Sequence, residues 1–462
     1  MSTTTAVRPA RTRPGLALAL ILTCQLMIML DATVMNVALP RIRADLGFSA
    51  AGLSWVMNAY TLVFGGLLLL GGRLGDLFGR RRVFLIGVAV FTAASLAGGL
   101  ADSAWLLVAS RVVQGLGAAA AGPSTIALLT STITDQRARV RALSLFSAMA
   151  SSGFAVGLIL GGLLTETLSW RWVMFINIPL GLVVLAFGAR HIAEPERHPA
   201  RLDVSGAVTA TLGVGALVYG FIRAADAGWG DPVAVVSMVA GALLVVLFVA
   251  MQARASHPLL PLRLFADRNR AAGYANFFLG PLSMMSAFFF LTQFLQDVRG
   301  YGALETGFAF LPMAVCIFAL SRAMPAVLAR TGPKPPAVAG TVLMSGGLWW
   351  LSMLTADSAY LPGILGPMLV LGIGGGLAFS PLNVVIMATV PPRDAGAAGG
   401  TLQTMQQIGS TLGLALLVTV AGSGARGASG TDALVAGVTS AFTAAAAIAL
   451  LTVLVALTFR RQ

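Results

Sequence analysis

Charge is scarce in this chain. Only 10% of its 462 residues are Asp, Glu, Lys or Arg, where a soluble domain carries roughly 25%. Water could not solvate so poorly charged a surface, and 57% of the residues are hydrophobic, so most of the exterior faces lipid. Cysteine is nearly absent. Cys24 and Cys316 both fall inside apolar runs, which implies buried free thiols and no disulfide framework. Histidine is limited to His191, His198 and His257, at no metal-ligand or relay spacing. No H-E-x-x-H, G-x-S-x-G or S-x-x-K arrangement occurs, so neither an enzyme nor a metal site is expected. Long loops are missing too. The largest, near 190–203 and 254–270, are too short to bury a core, and no G-x-x-x-x-G-K-[ST] loop is present. Any work done against a gradient draws on another gradient or on a partner chain, and no cofactor is expected.

What the chain has in abundance is apolar length. A helix needs about 20 apolar residues to cross ~30 Å of hydrocarbon. Fourteen such runs lie near 15–37, 53–71, 83–100, 104–132, 142–164, 172–189, 204–222, 233–253, 271–297, 305–324, 336–355, 361–389, 396–420 and 433–457. Only Pro391, Pro392, Arg393 and Asp394 separate 361–389 from 396–420. The first run follows Arg8, Arg11 and Arg13 as a signal peptide would, but it is too long for an h-region, and an uncleaved helix is expected.

Cations test the count. With the N-terminus inside, only Arg41, Arg43, Arg171, Arg223, Arg299 and Arg426 fall on the outer side, and Arg111 alone falls within a span. The remaining basic residues are all inner, as the positive-inside rule requires. Trp55, Trp105, Trp170, Trp172 and Trp229 fall at outer helix ends, whereas Trp349 and Trp350 fall inside the run 336–355 and break that pattern. The net charge of +13 is spread over short loops, which suits an anionic inner leaflet and not a nucleic acid. The expected architecture is all-α and integral to the membrane. Residues 1–200 form one six-helix bundle, 201–255 two inserted helices, and 256–462 a second six-helix bundle. Both ends lie inside, and the protein is a monomer. Parallel repeats of this kind place a substrate site near the midplane between bundles.

Four stretches carry chemistry. Asp31 lies in the first span, where an acid costs about 2.5–3.5 kcal/mol on insertion scales. Such a group is protonated, paired, or open to a wet cavity. Helical spacing puts Cys24, Met27, Ile28, Asp31 and Met35 on one face, an adaptable wall suited to apolar ligands. A structural acid near the outer interface is the alternative. Arg111 and Gln114, three apart on the fourth span, share a face. Arginine stays charged, so it needs an acid, carbonyls or water and cannot itself carry the proton. Gly71 to Arg82 form a tight turn with Asp76 as one acid among Arg73, Arg80, Arg81 and Arg82. A plain solvated basic turn is the alternative there. Gly153, Gly157, Gly161 and Gly162 make a small-residue groove on the fifth span, for which close helix packing is sufficient explanation.

These stretches resemble the major facilitator superfamily. The turn matches its loop signature at Gly72, Leu74, Asp76, Gly79, Arg80 and Arg81, with Leu77 in place of the usual base. The resemblance implies a latch between bundles that involves Asp76 and Arg80. The stretch Leu30 to Pro40 and the stretch Ser169 to Gly181 resemble the fourteen-helix drug:proton antiporters of that superfamily. The run Arg111 to Gly117 matches its R-x-x-Q-G-x-G pattern, linked there to proton coupling. The glycine series is similar to its antiporter motif, with Leu158 where that motif has proline. His257 to Leu262, Gln296 to Pro312 and Gln407-x-Gly409 follow the same group less sharply.

The resemblance implies a plasma-membrane exporter that exchanges amphipathic drugs or antibiotics for protons. Asp31, Arg111 and Gln114 would couple the proton, and Met27, Asp31, Met35 and Glu305 are candidates for the substrate cavity. Glu305 also reads as a solvated acid at a helix start. A narrow exporter of one endogenous metabolite, and a membrane sensor without transport, remain as alternatives.

Overall fold

A computed structural model describes residues 14–133, 135–195, 202–256, 258–388, 390 and 394–459. The predicted readings at Arg8, Arg11, Arg13, His198, His257, Pro391, Pro392 and Arg393 lie outside the described residues. Among those described, all regular structure is helical. The helices are α1 (Pro14–Leu46), α2 (Trp55–Phe78), α3 (Arg80–Gly99), α4 (Ala104–Thr132), α5 (Gln136–Thr167), α6 (Arg171–Phe175), α7 (Asn177–His191), α8 (Val204–Ala227), α9 (Pro232–Arg254), α10 (Arg268–Gln293), α11 (Ala303–Thr331), α12 (Lys334–Leu351), α13 (Leu365–Met387), α14 (Ala395–Gly424) and α15 (Gly430–Leu457). We call the end where α1 begins the base and the opposite end the crown.

Apolar length explains the helices, and short polar residues punctuate them. The carboxylates of Asp135, Asp203, Asp231 and Asp267 accept the backbone N–H of Ala138, Gly206, Ala234 and Arg270, which starts α5, α8, α9 and α10. A helix lies at each predicted run, and twelve of the described spans are long and apolar enough to cross a membrane. The predicted run 142–164 lies on α5, a helix of 32 residues whose described apolar part is Ala155–Thr167, and α12 has 18 residues and opens on Lys334, Pro335 and Pro336. α12 also ends at Leu351, four residues before the predicted run does. Trp349 and Trp350 therefore lie in its last turn at the crown, 55% and 42% exposed. They join the other tryptophans there instead of breaking the pattern.

Helices α1–α7 pack on one another, as do α10–α15. The two groups meet along two seams, α5 on α11 and α2 on α14. α8 also packs on both α2 and α14, with Gly66 against Thr211 and Thr419 donating to the Phe221 carbonyl. α9 covers α8 from outside and leaves Val236, Leu243 and Val246 66%, 64% and 66% exposed, a surface suited to hydrocarbon.

Hydrogen bonds between the groups gather toward the crown. Asn36 donates to Thr292 and the Phe288 carbonyl, Gln296 to the Val37 carbonyl, and the Leu304 amide to Glu166. Arg43 pairs with Asp297 at 3.5 Å, and Thr411 donates to Thr61. The crown is closed.

Candidate functional site: a buried ion pair among five helices

Asp31 and Arg111 are both fully buried, 2.5 Å apart. Two lone charges in an apolar interior are tolerable only when each satisfies the other and most remaining donors find acceptors. Arg111 Nη1 donates to Asp31 Oδ2 and to Gln114 Oε1 at 2.8 Å, and its Nε donates to the Val56 carbonyl at 2.9 Å. Gln114 Nε2 reaches Asp31 Oδ1 at 3.1 Å and Ser95 Oγ at 2.8 Å. Asn177 Nδ2 also donates to Asp31 Oδ1 at 3.1 Å. The guanidinium lies over the Tyr60 ring, 4.5 Å from its centroid, a favourable cation–π contact. Helices α1, α2, α3, α4 and α7 each contribute one part. The three-residue spacing of Arg111 and Gln114 lets α4 present both to α1.

Three atoms of this cluster find no protein partner: Arg111 Nη2, Tyr60 Oη and Asn177 Oδ1. An unmade buried hydrogen bond costs about 1–3 kcal/mol, so the network holds unused donors and acceptors beside a carboxylate.

Asp31, Arg111 and Gln114 come together as the sequence predicts. Ser95 and Tyr60 were not anticipated, and Asn177 was noted only within the stretch Ser169 to Gly181. Each is a polar group in an apolar run, which is the only signal the sequence carries for them. The predicted cavity wall is not formed. Cys24, Met27, Ile28 and Met35 share the face of Asp31, but all are buried. Cys24, Met27 and Ile28 pack with Tyr60, Phe64, Val88 and Phe91 inside the N-terminal helices. Met35 belongs instead to the larger buried cluster that draws on both groups of helices. Glu305 is also apart from this site. It is exposed in the first turn of α11 and accepts the Gly302 amide there, as the solvated reading of this acid requires.

The turn between α2 and α3 is the single residue Gly79, at φ +102°, a region that glycine enters without strain. Arg80 donates Nε and Nη2 to Asp76 Oδ1 at 3.0 and 2.7 Å. Arg81 sends Nη1 to the Ala189 and Ile192 carbonyls, while the Arg81 and Arg82 amides both donate to Glu194. A carboxylate at the start of α3 is favoured by its unpaired amides and dipole. Glu194, beyond α7, is thus the partner that the sequence reading missed. Gly72 approaches Pro123 of α4. All these described partners of the latch residues belong to the N-terminal helices.

The glycine series divides its work. A Cβ on Gly153 would touch Met29, one on Gly157 would lie 1.9 Å from Thr33 Oγ1, and one on Gly161 would lie 2.8 Å from Val34 Cα. These three seat α5 on α1. Gly162 faces the other group, where its Cβ would lie 2.6 Å from the Ala303 carbonyl. Gly307 of α11 answers it, 2.5 Å from the Leu158 carbonyl. Both chains are pared to backbone where α5 crosses α11.

Comparisons with known proteins agree with this architecture. Over 416 residues the chain is 44% identical to the cephamycin export protein CmcT of Amycolatopsis lactamdurans, covering 89% of this chain and 86% of that one. It is 40% identical over 408 residues to the puromycin resistance protein pur8 of Streptomyces alboniger, covering 87% and 81%. It is 37% identical over 413 residues to the tetracenomycin C resistance and export protein of Streptomyces glaucescens, covering 88% and 76%. In fold it resembles the crystal structure of the peptide transporter POT, with a TM-score of 0.68 at 14% identity over 95% of this chain and 94% of that one. The nucleoside transporter NupG gives 0.67 at 12% identity over 96% and 99%. A family model described as Major Facilitator Superfamily matches residues 21–414. This chain is therefore a multi-pass membrane protein and belongs to the major facilitator superfamily.

Proposed function

We propose that this protein is a secondary active transporter of the cell membrane that exports amphipathic antibiotics or drugs in exchange for protons, and is not an enzyme. The observation that carries this reading is the fully buried Asp31–Arg111 pair with its unused donors and acceptors. A charge pair so costly to bury is retained where its protonation changes. In this reading fourteen helices cross the bilayer with both ends and the base in the cytoplasm. Residues 1–200 and 256–462 are the two rocking bundles, and 201–255 is the insert. The energy source is the proton gradient, and the unit is a monomer.

The closed crown supports an inward-facing state. A proton entering from outside would neutralise Asp31, loosen its hold on Arg111, Gln114 and Asn177, and so favour rearrangement of α1 against α4 and α7. Asp76 and Arg80, joined to each other in this state, would engage the C-terminal helices once the base closes. The α5–α11 glycine crossing would be the pivot. Partly exposed Met29, Gln403 and Gln406 are better candidates for touching substrate than Met27 or Met35.

A narrower reading is favoured by the relatives, several of which are named for a single antibiotic. One experiment addresses both. Inverted vesicles carrying the protein are given a proton gradient, and uptake of puromycin, a cephamycin and a cationic dye is followed. Gradient-driven uptake of at least one compound, abolished by Asp31→Asn, is expected, and the number of accepted compounds separates broad from narrow specificity. Uptake that persists undiminished in Asp31→Asn would remove the ion pair from the mechanism.

A further inference from the structure

We infer that the crown carries a second ligand site, remote from Asp31, for a one-ring aromatic ammonium ion whose binding holds the crown shut. A cavity of about 140 Å³ opens there among the ends of α8, α10 and α14, the start of α15 and the turn between α1 and α2. Its inner wall is Phe289, Phe290 and Phe294, and Asp226 and Gln293 supply polar groups. Asp226 is exposed, whereas Gln293 is buried. A dry apolar cavity of about 150 Å³ is known to hold a benzene ring, so this volume suits one aromatic ring, with the ammonium group outside it at the exposed Asp226. Phe289 and Phe290 stand edge to face, 5.2 Å between centroids, a geometry into which a third ring can stack.

Two features show that the cavity is built into the fold. The α10 helix widens into a π-turn over Phe294–Val298, and both of those residues line the cavity. π-turns of this kind occur often at functional sites. Of the nearby arginines, Arg223 pairs with Asp231 at 3.2 Å. Asp226 accepts a long 3.4 Å hydrogen bond from Ser49, and its exposed carboxylate has room for an ammonium group.

The consequence for transport follows from which elements form the walls. Ala50 and Ala51 come from the N-terminal helices, Ala225 and Asp226 from the insert, and the phenylalanines from α10. Resting on the alternating-access reading above, opening of the crown carries Ala50 and Ala51 away and dismantles the site. A ligand bound there favours the closed state by its differential affinity. A cation added on the crown side therefore inhibits export without competing at the main cavity.

Benzyltrimethylammonium is the probe, with neopentylbenzene as its uncharged isostere. In detergent the cation should raise the melting temperature of the intact protein. Asp226→Asn should raise the half-saturating concentration at least tenfold, and Ala433→Trp, which fills the cavity, should abolish the shift. In right-side-out vesicles the same variants should resist inhibition while exporting normally without the probe. If thermal shifts follow this pattern but no variant or parent exports anything, the site stands and the transport reading fails. Equal half-saturation in parent, Asp226→Asn and Ala433→Trp, or an equal response to neopentylbenzene, would overturn the proposal.

Discussion

The N-terminal helices and the C-terminal helices solve the same packing problem with different chemistry. Among α1–α7 a carboxylate on α1 and a guanidinium on α4 are sealed deep in the interior and tied to polar groups of three other helices. Among α10–α15 the described buried charges are Arg270 and Asp394, both at the base. At depth that group holds no described charge and relies on close backbone contact, which α3 and α4 of the N-terminal group also make at Gly87 and Gly117. Gly340 and Gly374 face each other across α12 and α13, and Gly409 and Gly413 lie against carbonyls of α10. Small residues allow such close approach where no hydrophobic effect drives helices together. Among the described residues, the contrast places the deeply buried charge pair in one group alone.

The strongest way to break this contrast is to strand one charge. Arg111→Ala leaves Asp31 buried without its partner, and should cost about 3–5 kcal/mol. This should show as a large fall in melting temperature together with loss of gradient-driven export. The double variant Asp31→Asn, Arg111→Met should recover most of the stability but none of the coupling. Recovery of coupling would place the switch elsewhere.

Next in size are the Asn177 bond to Asp31 and the α5–α11 seam. Asn177→Ala removes one hydrogen bond to a charged group, worth about 1.5–3 kcal/mol. It should slow coupled export while leaving substrate binding intact, as measured by parallel flux and equilibrium-binding assays. Replacing Gly162 with Val drives methyl groups into the Ala303 backbone, and overpacking of this kind costs about 1–3 kcal/mol. If the α5–α11 crossing is the pivot, transport with and without a gradient should fall together, whereas a coupling defect alone would contradict a pivot.

The smallest effect is expected at the insert, which belongs to neither group. Burial tends to raise the Asp203 carboxyl, but hydrogen bonds from Gln252, the Gly206 amide and Ser205 outweigh it and leave the group below the usual carboxylate range. Its contribution to stability is therefore complete above an unfolded value of about 3.9 and is lost as pH falls through the lower folded value. Loss of the cap in Asp203→Ala should cost about 1 kcal/mol. Thermal melts should show this deficit at neutral pH and its disappearance in strong acid.

Much of this was legible in the sequence because a bilayer imposes strong local rules. Apolar length located the helices, and the rarity of charge within spans picked out Asp31 and Arg111 before any packing was known. What spacing could not supply was the identity of the neighbour. It grouped Met27 and Met35 with Asp31, but both side chains are buried, Met27 in a cluster with Tyr60, Phe64, Val88 and Phe91. Glu194 escaped notice because its partner, the start of α3, lies more than a hundred residues earlier. Ser95 and Tyr60 are ordinary residues in apolar stretches until five helices converge on them. The crown pocket had no signal at all, since its walls come from five separate segments of the chain.

The central claim is that Asp31 exchanges a proton in step with substrate. Purified protein in lightly buffered detergent, mixed with a saturating exported antibiotic, should release protons that a pH indicator registers. Asp31→Asn should release none while still binding the compound. Equal release from both proteins would contradict the account.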